Sequence, residues 1–278
     1  MAKYMKTEQG YIDIPNFALE PFKPDGKSYL TFSSYNSFTL KVNNLTKNWD
    51  GTLEYFDSDK TWTVWDGTTV LSAVYYDGEY FLYLRGTKNT IITGNNINFR
   101  WILNGSNIAC IGNIENLLDY TIAASGGHPI MATNCYSYMF RNCRSLTKAP
   151  ALPATTLANY CYSNMFRNCT SLTQAPALPA TTLANYCYSY MFRNCTSLKL
   201  SSTKTDDYTQ EYRIPSSGEG VTVIGALEGM FGSTGGTFTG TPSINTTYYL
   251  SSYNMIVRET DIATLNGYVR SMINAALN

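Results

Sequence analysis

Charge is scarce in this chain. Only 14% of its 278 residues are Asp, Glu, Lys or Arg, against about 25% in an average soluble domain, so Ser, Thr, Asn and Tyr must make the surface polar. Twenty basic residues balance twenty acidic ones, and no net field draws the protein to nucleic acid or to anionic membranes. Histidine is nearly missing. His128, in the run Gly126-Gly127-His128-Pro129, is the single one. Acid–base and nucleophilic chemistry draw on histidine more than on any other residue, and a loop histidine without a paired motif reads as a surface residue. Asp206-Asp207 sits in a polar loop, where adjacent carboxylates point apart. The expectation is a protein that is not an enzyme. Long apolar runs are also lacking: nothing approaches the roughly 18 residues of a membrane span. Met1 to Gly10 carry no apolar stretch of signal-peptide length, so the chain reads as made in a cytoplasm, without a membrane span.

What is present is a repeat. Residues 135–160 read CYSYMFRNCRSLTKAPALPATTLANY, and residues 161–186 read CYSNMFRNCTSLTQAPALPATTLANY. A third copy opens at Cys187 and departs at Lys199. The 26-residue period lies in the range of stacked repeat proteins. The first two copies differ only at Tyr138/Asn164, Arg144/Thr170 and Lys148/Gln174, all polar or amphipathic changes of the kind that face solvent. The apolar positions are identical. A degenerate fourth unit is expected at about 226–250, where Met230-Phe231 repeats Met165-Phe166, and Met131 to Cys135 resembles the tail of a preceding unit.

Within a unit, Thr155 or Thr156 is placed to cap a short helix that carries Leu157, Tyr160, Cys161 and Met165 on one stripe. The proline-rich run from Cys169 to Pro179 reads as a short extended segment. One helix and one strand per unit, stacked in parallel, predict a solenoid that needs about three units to bury its core.

The run from Pro153 to Leu172, P-x-x-x-L-x-x-Y-C-x-x-x-M-F-x-x-C-x-S-L, resembles the BspA-like branch of leucine-rich repeats, whose units carry an A-F-x-x-C-x-x-L core. The resemblance covers about residues 130–250. It implies a leucine-rich-repeat solenoid and a role in bacterial surface adhesion, and similar repeats occur in phage-encoded proteins. Two features depart from the family pattern. The unit is longer, and Pro176 stands where the family has a hydrogen-bonding strand residue. Strand pairing is therefore expected to break or shift at each turn.

Before the repeat, residues 29–118 alternate in short β-type runs: Leu30–Phe32, Ser37–Val42, Thr61–Trp65 and Glu79–Leu84. Turn signals at Asp50-Gly51, Asp66-Gly67, Asp77-Gly78 and Asn104-Gly105 separate them, which predicts an antiparallel β-sandwich of roughly seven strands. Residues 1–28, with Pro15, Pro21 and Pro24, read as an extended arm that ties neighbouring subunits or as a plain tail. After the solenoid (119–258), residues 259–278 read as an amphipathic helix with Ile262, Leu265, Val269, Met272 and Ala276 on its stripe. It caps the solenoid or docks on a second protein. The fold class is therefore mixed β and α/β.

Six of the seven cysteines recur with the repeat, as Cys135/161/187 and Cys143/169/195. Their C-x7-C spacing is no zinc signature, and one histidine completes no such site. Buried free thiols are the reading, with no metal and no cofactor. Arg141, Arg167 and Arg193 form a ladder of like charges that something must compensate. Loop carbonyls or the rings of Tyr138 and Tyr190 are one answer, and an anionic glycan or a partner's carboxylate is the other. The candidate binding face is Tyr138, Arg141, Asn164, Arg167, Tyr190 and Arg193. Trp49, Trp62 and Trp65 read as core or subunit contacts rather than as a sugar-stacking platform.

Two functions fit. One is a bacteriophage virion component, capsid-decorating or fibre, that presents the repeat for host attachment. Its partners would be other virion proteins, further copies of itself, and a host-surface glycan or protein. The other is a bacterial cell-surface adhesin or glycan-binding protein.

Overall fold

The computed structural model describes residues 4–7, 10–13, 22–24, 28–96 and 98–251. The amphipathic helix expected over 259–278 lies outside the described residues, as does most of the 1–28 arm. Among the described residues the fold is β-rich and mixed, with sixteen strands in four sheets and one short helix.

In the N-terminal part, β1 (Tyr4–Thr7) and β2 (Gly10–Asp13) pair with each other and, among the described residues, with no other strand. The next strands are β3 (Leu30–Ser34), β4 (Thr39–Val42), β5 (Thr52–Phe56), β6 (Trp62–Val64), β7 (Leu71–Ser72), β8 (Val74–Tyr76) and β9 (Glu79–Thr87). Then come β10 (Trp101–Asn104) and β11 (Ile108–Ile111), followed by the helix α1 (Asn116–Ala124). A seven-stranded sheet runs β12-β11-β3-β9-β5-β6, with β8 also on β9, where β12 is Leu146–Lys148. A three-stranded sheet runs β10-β4-β7. Alternation along the strands sends Leu30, Phe32, Leu82 and Leu84 from the first sheet into the same buried cluster as Leu40, Val42, Trp101 and Leu103 from the second. Trp49 and Trp65 lie in that core with ring centroids 5.1 Å apart. The outer face of the large sheet buries a smaller cluster of Phe22, Tyr29, Phe56 and Tyr83. The Tyr83 hydroxyl donates to the Phe22 carbonyl at 3.0 Å, which pins part of the N-terminal segment to the chain's own sheet.

The repeat does not form the expected helix. Between residues 158 and 169 the backbone is a ribbon of consecutive turns, and its hydrogen bonds alternate. The N–H groups of Cys161, Ser163, Met165, Arg167 and Cys169 donate three residues back, to the carbonyls of Ala158, Tyr160, Tyr162, Asn164 and Phe166. Those of Tyr160, Tyr162, Asn164, Phe166 and Asn168 donate forward into the next unit, to Asn185, Cys187, Ser189, Met191 and Arg193. An α-helix satisfies its N–H groups within itself; here alternate ones bind the neighbouring unit instead. Left-handed φ values at Tyr160 (57°), Asn164 (55°) and Asn168 (63°) break any helical run every fourth residue. The same positions in the flanking units, Asn134, Tyr138 and Asn142 before and Tyr186, Tyr190 and Asn194 after, are also left-handed.

The strand expected in every unit is missing from the second: it occurs at 146–148 in the first unit, 199–201 in the third and 235–236 in the fourth. β12 pairs parallel with β11 in the first unit, but the equivalent stretch of the second unit forms no strand, and Thr173 reaches the Thr147 carbonyl through both its N–H and its hydroxyl, each at 3.3 Å. Pro150 and Pro176 have no N–H with which to extend that pairing.

The inward side chains stack in columns. Phe140, Phe166, Phe192 and Phe231 lie with successive ring centroids 5.6 Å apart and nearly parallel. Tyr136, Tyr162 and Tyr188 stack likewise at 5.5 and 5.9 Å. Phe231 joins this column because the fourth unit's backbone is in register: Phe192 N–H donates to the Met230 carbonyl, and Gly225, Gly229 and Ser233 repeat the left-handed positions. All seven cysteines are buried thiols, and Cys169 and Cys195 donate to the Phe140 and Phe166 carbonyls at 3.0 Å. Burial pushes the thiols of Cys143, Cys187 and Cys195 up to about 12.

Both ends of the column are covered. Trp101 and Phe32 pack against Phe140 at one end. At the other, Tyr212 meets Phe231 edge-on from a four-stranded sheet of β13 (Lys199–Ser201), β14 (Tyr208–Arg213), β15 (Gly235–Gly236) and β16 (Thr247–Ser251), ordered β14-β16-β13-β15. One buried cluster therefore extends from Leu30 to Leu250, and α1, kinked at the non-helical Asp119 (φ −152°, ψ 104°), contributes Leu117 and Leu118 to it.

Candidate binding face

The turn ribbon fixes which side chains face out. Of residues 160–169, Cys161, Tyr162, Met165, Phe166 and Cys169 are buried in the core, while Tyr160, Arg167 and Asn168 keep contact with solvent. Because each unit is hydrogen-bonded in register to the next, each position along the ribbon becomes a column across the units. The columns are Asn134–Tyr160–Tyr186, Ser137–Ser163–Ser189, Tyr138–Asn164–Tyr190, Arg141–Arg167–Arg193 and Asn142–Asn168–Asn194.

The asparagine column is continuous: Asn168 Nδ2 donates to Asn142 Oδ1 at 2.6 Å, and Asn194 Nδ2 to Asn168 Oδ1 at 2.7 Å. The buried serines link as well, with 2.8 Å between the Ser163 and Ser189 hydroxyls and 3.2 Å from the Ser137 hydroxyl to the Ser163 carbonyl. Tyr160 and Tyr186 stack at 4.8 Å.

A groove of about 590 Å³ opens between these columns, lined by residues that include Tyr138, Tyr160, Ser163, Asn164, Tyr186 and Tyr190, with Asn95 and Glu228 also on its wall. Its position follows from the repeat's one irregularity in the tyrosine column. Unit two carries Asn164, 5% exposed, between the tyrosines of units one and three. At the last unit Tyr186 and Tyr190 lie over Gly225 and Gly229, where any Cβ would collide with their rings at 2.1 and 2.5 Å. Tyr190 also hydrogen-bonds the Glu228 carboxylate, and that bond raises its pKa.

Of the six residues predicted for the face, Tyr138, Asn164 and Tyr190 line this groove, while Arg141, Arg167 and Arg193 form the adjoining column. Arg141 sits over the Tyr138 ring at 5.6 Å and Arg193 over Tyr190 at 5.4 Å. Arg167 has no tyrosine beneath it; its Nη1 donates to Asn164 Oδ1 at 3.2 Å. The Nε atoms of Arg141 and Arg167 are buried without a hydrogen-bond partner. Among the described residues no carboxylate forms an ion pair with any of the three. Unit charges roughly 5 Å apart repel by about 1 kcal/mol in water and by more near a protein surface. Burial, together with the charges of Arg141 and Arg193, lowers the pKa of Arg167.

Sequence reasoning missed the serine column, the Tyr160–Tyr186 stack and Glu228. The first two were signalled by their 26-residue recurrence, but Glu228 carried no signal because the unit that holds it has diverged. The tryptophans are core residues as expected at Trp49 and Trp65, both buried, while Trp62 is half-buried beneath Arg85 at 4.1 Å. His128 is not the unpartnered loop residue it resembles. Its Nδ1 lies 2.9 Å from Oε2 of Glu115, a carboxylate 1% exposed under the junction of sheet and repeat. Among the described residues no group of three or more His, Cys, Asp or Glu side chains is placed to hold a metal, and no helix is long and apolar enough to cross a membrane.

No family model matches the chain, and no curated protein or solved structure is significantly similar to it.

Proposed function

We propose that this is a non-enzymatic binding protein whose repeat face attaches it to a host surface, as a capsid-decorating or fibre component of a bacteriophage virion. Its architecture on this reading is a two-sheet sandwich carrying a short solenoid of the BspA-like leucine-rich-repeat type. The supporting observation is the set of parallel outward columns that meet at the Tyr138–Asn164–Tyr190 groove. A catalytic site holds a few reactive groups at one point. A ladder instead presents the same groups at regular intervals over an extended surface, which suits a ligand that is itself repetitive. The surface, rich in Tyr, Asn and Thr and poor in charge, fits a structural particle component that contacts other virion proteins or further copies of itself.

A bacterial cell-surface adhesin or glycan-binding protein is the second reading, favoured by the likeness of the Cys135–Leu198 units to surface-adhesion repeats. Mass spectrometry of gradient-purified particles from the source culture, beside washed cell envelopes, separates the two. Stoichiometric recovery with the particles is the expected result. Recovery in envelopes alone excludes the virion role and leaves the adhesin.

A further inference from the structure

We propose that the groove and the arginine column together bind a linear anionic surface polysaccharide, with sugar units in the groove and one carboxylate or phosphate per unit against Arg141, Arg167 and Arg193. This inference rests on the attachment role above and names its ligand.

The arginine column is the outward column that carries a charge in all three close repeats; Arg144 and Lys148 become Thr170 and Gln174 one unit on. The fold thus holds three like charges in register without an acidic partner among the described residues. The tyrosine rings soften this at Arg141 and Arg193, but Arg167 has only a neutral amide oxygen. Arginine is the side chain best shaped to grip carboxylate or phosphate through paired N–H groups.

The adjoining groove supplies what a sugar needs. Its Tyr, Asn, Ser and Thr lining offers donors, acceptors and ring surface, with Glu228 as the one charged side chain, in a volume within the range of small-ligand sites. Glu228 closes one end, where it repels an anion and so favours seating the charged groups toward the arginines. The columns run across the units, as the polymer would, and a ligand spanning several units gains from each.

The test uses the full chain and titration calorimetry at low salt. The probes are a carboxylated polysaccharide (polygalacturonate), a glycerol-phosphate polymer (teichoic acid), a neutral polysaccharide (dextran) and poly-glutamate. Binding to one or both anionic glycans, weakened by added salt, is the expected result, and which of them binds separates carboxylate from phosphate. Arg167→Gln should weaken it by about tenfold or more, as expected for one charge-assisted contact, while Arg167→Lys retains part. Tyr138→Ala with Tyr190→Ala should weaken it without changing the salt dependence. Thermal melts of each variant confirm folding.

Equal binding of dextran, untouched by Arg167→Gln, overturns the anionic ligand and leaves the attachment role standing. Poly-glutamate binding as tight as the glycans overturns it in favour of an acidic protein partner. Failure of the wild-type chain to bind any probe, while it still binds host cells, also overturns it. Failure to bind cells as well removes the attachment role itself.

Discussion

The N-terminal sheets and the repeat stack bury their cores by different means. In the sheets, residues far apart in sequence, such as Phe32, Trp65 and Trp101, meet once, each in its own environment. In the stack the same residue meets itself: Phe140, Phe166, Phe192 and Phe231 each pack on the next, and Phe166 and Phe192 have a phenylalanine on both faces. The first arrangement makes a single surface of varied chemistry. The second copies every outward residue into a column, so that one substitution in one unit, tyrosine to Asn164, is enough to open a groove. Repetition gives the face its regularity, and the departure from repetition lies at its groove.

The sharpest way to break this comparison is to interrupt the phenylalanine column. Phe166→Ala should cost about 3–5 kcal/mol, measured by urea denaturation. Phe81→Ala, on the half-buried outer face of the large sheet, should cost roughly half as much.

Asn168 tests the turn ribbon itself. Asn168→Ala should cost about 2–3 kcal/mol, through left-handed strain and two lost side-chain hydrogen bonds. Asn168→Gly, which tolerates that φ, should recover about 1 kcal/mol of it.

At the junction of the two regions, His128→Ala leaves the buried Glu115 carboxylate without its partner and should destabilise by about 1–3 kcal/mol at neutral pH in thermal denaturation.

The smallest effect at neutral pH appears only in base. Cys143, Cys187 and Cys195 have folded-state values raised from 9.0 to about 12, so the folded protein holds these protons more tightly than the unfolded chain. Their contribution is fully present below pH 9 and is lost as pH rises from there toward 12. Stability to urea should be level up to about pH 8.5 and then fall, with a shallower fall in Cys195→Ala.

Much of this was legible in the sequence, because strong local rules met little tertiary competition. Asp77-Gly78 between two aromatic runs announced a hairpin, and both residues have positive φ between β8 and β9. Asn104-Gly105 carried the same signal but joins two strands in different sheets, β10 with β4 and β11 with β3, which a local signal cannot distinguish. Asp50, read as a turn residue, instead accepts hydrogen bonds from the N–H groups of Thr90 and Ile91, forty and more residues away.

In the repeat, the period and part of the buried set were readable, and the backbone was not. Leu157, Tyr160, Cys161 and Met165 fit a helical stripe, yet the ribbon, whose alternate N–H groups reach the next unit, buries Cys161 and Met165 with Tyr162 and Phe166 and leaves Tyr160 exposed. The distinguishing signal was asparagine at four-residue intervals, as at Asn164 and Asn168, since asparagine tolerates left-handed φ better than most residues. The candidate face was half legible for the same reason: columns follow from the period, but the groove depends on how deeply Ser163 and Asn164 sink, which the ribbon decides.

Binding of fluorescently labelled protein to host cells tests the role of the repeat face most directly. The comparison is wild type against a variant carrying Tyr138→Ala, Arg167→Ala and Tyr190→Ala that melts within a few degrees of it. Loss of most cell binding in the variant is the expected result. Unchanged binding by a folded variant contradicts attachment through this face.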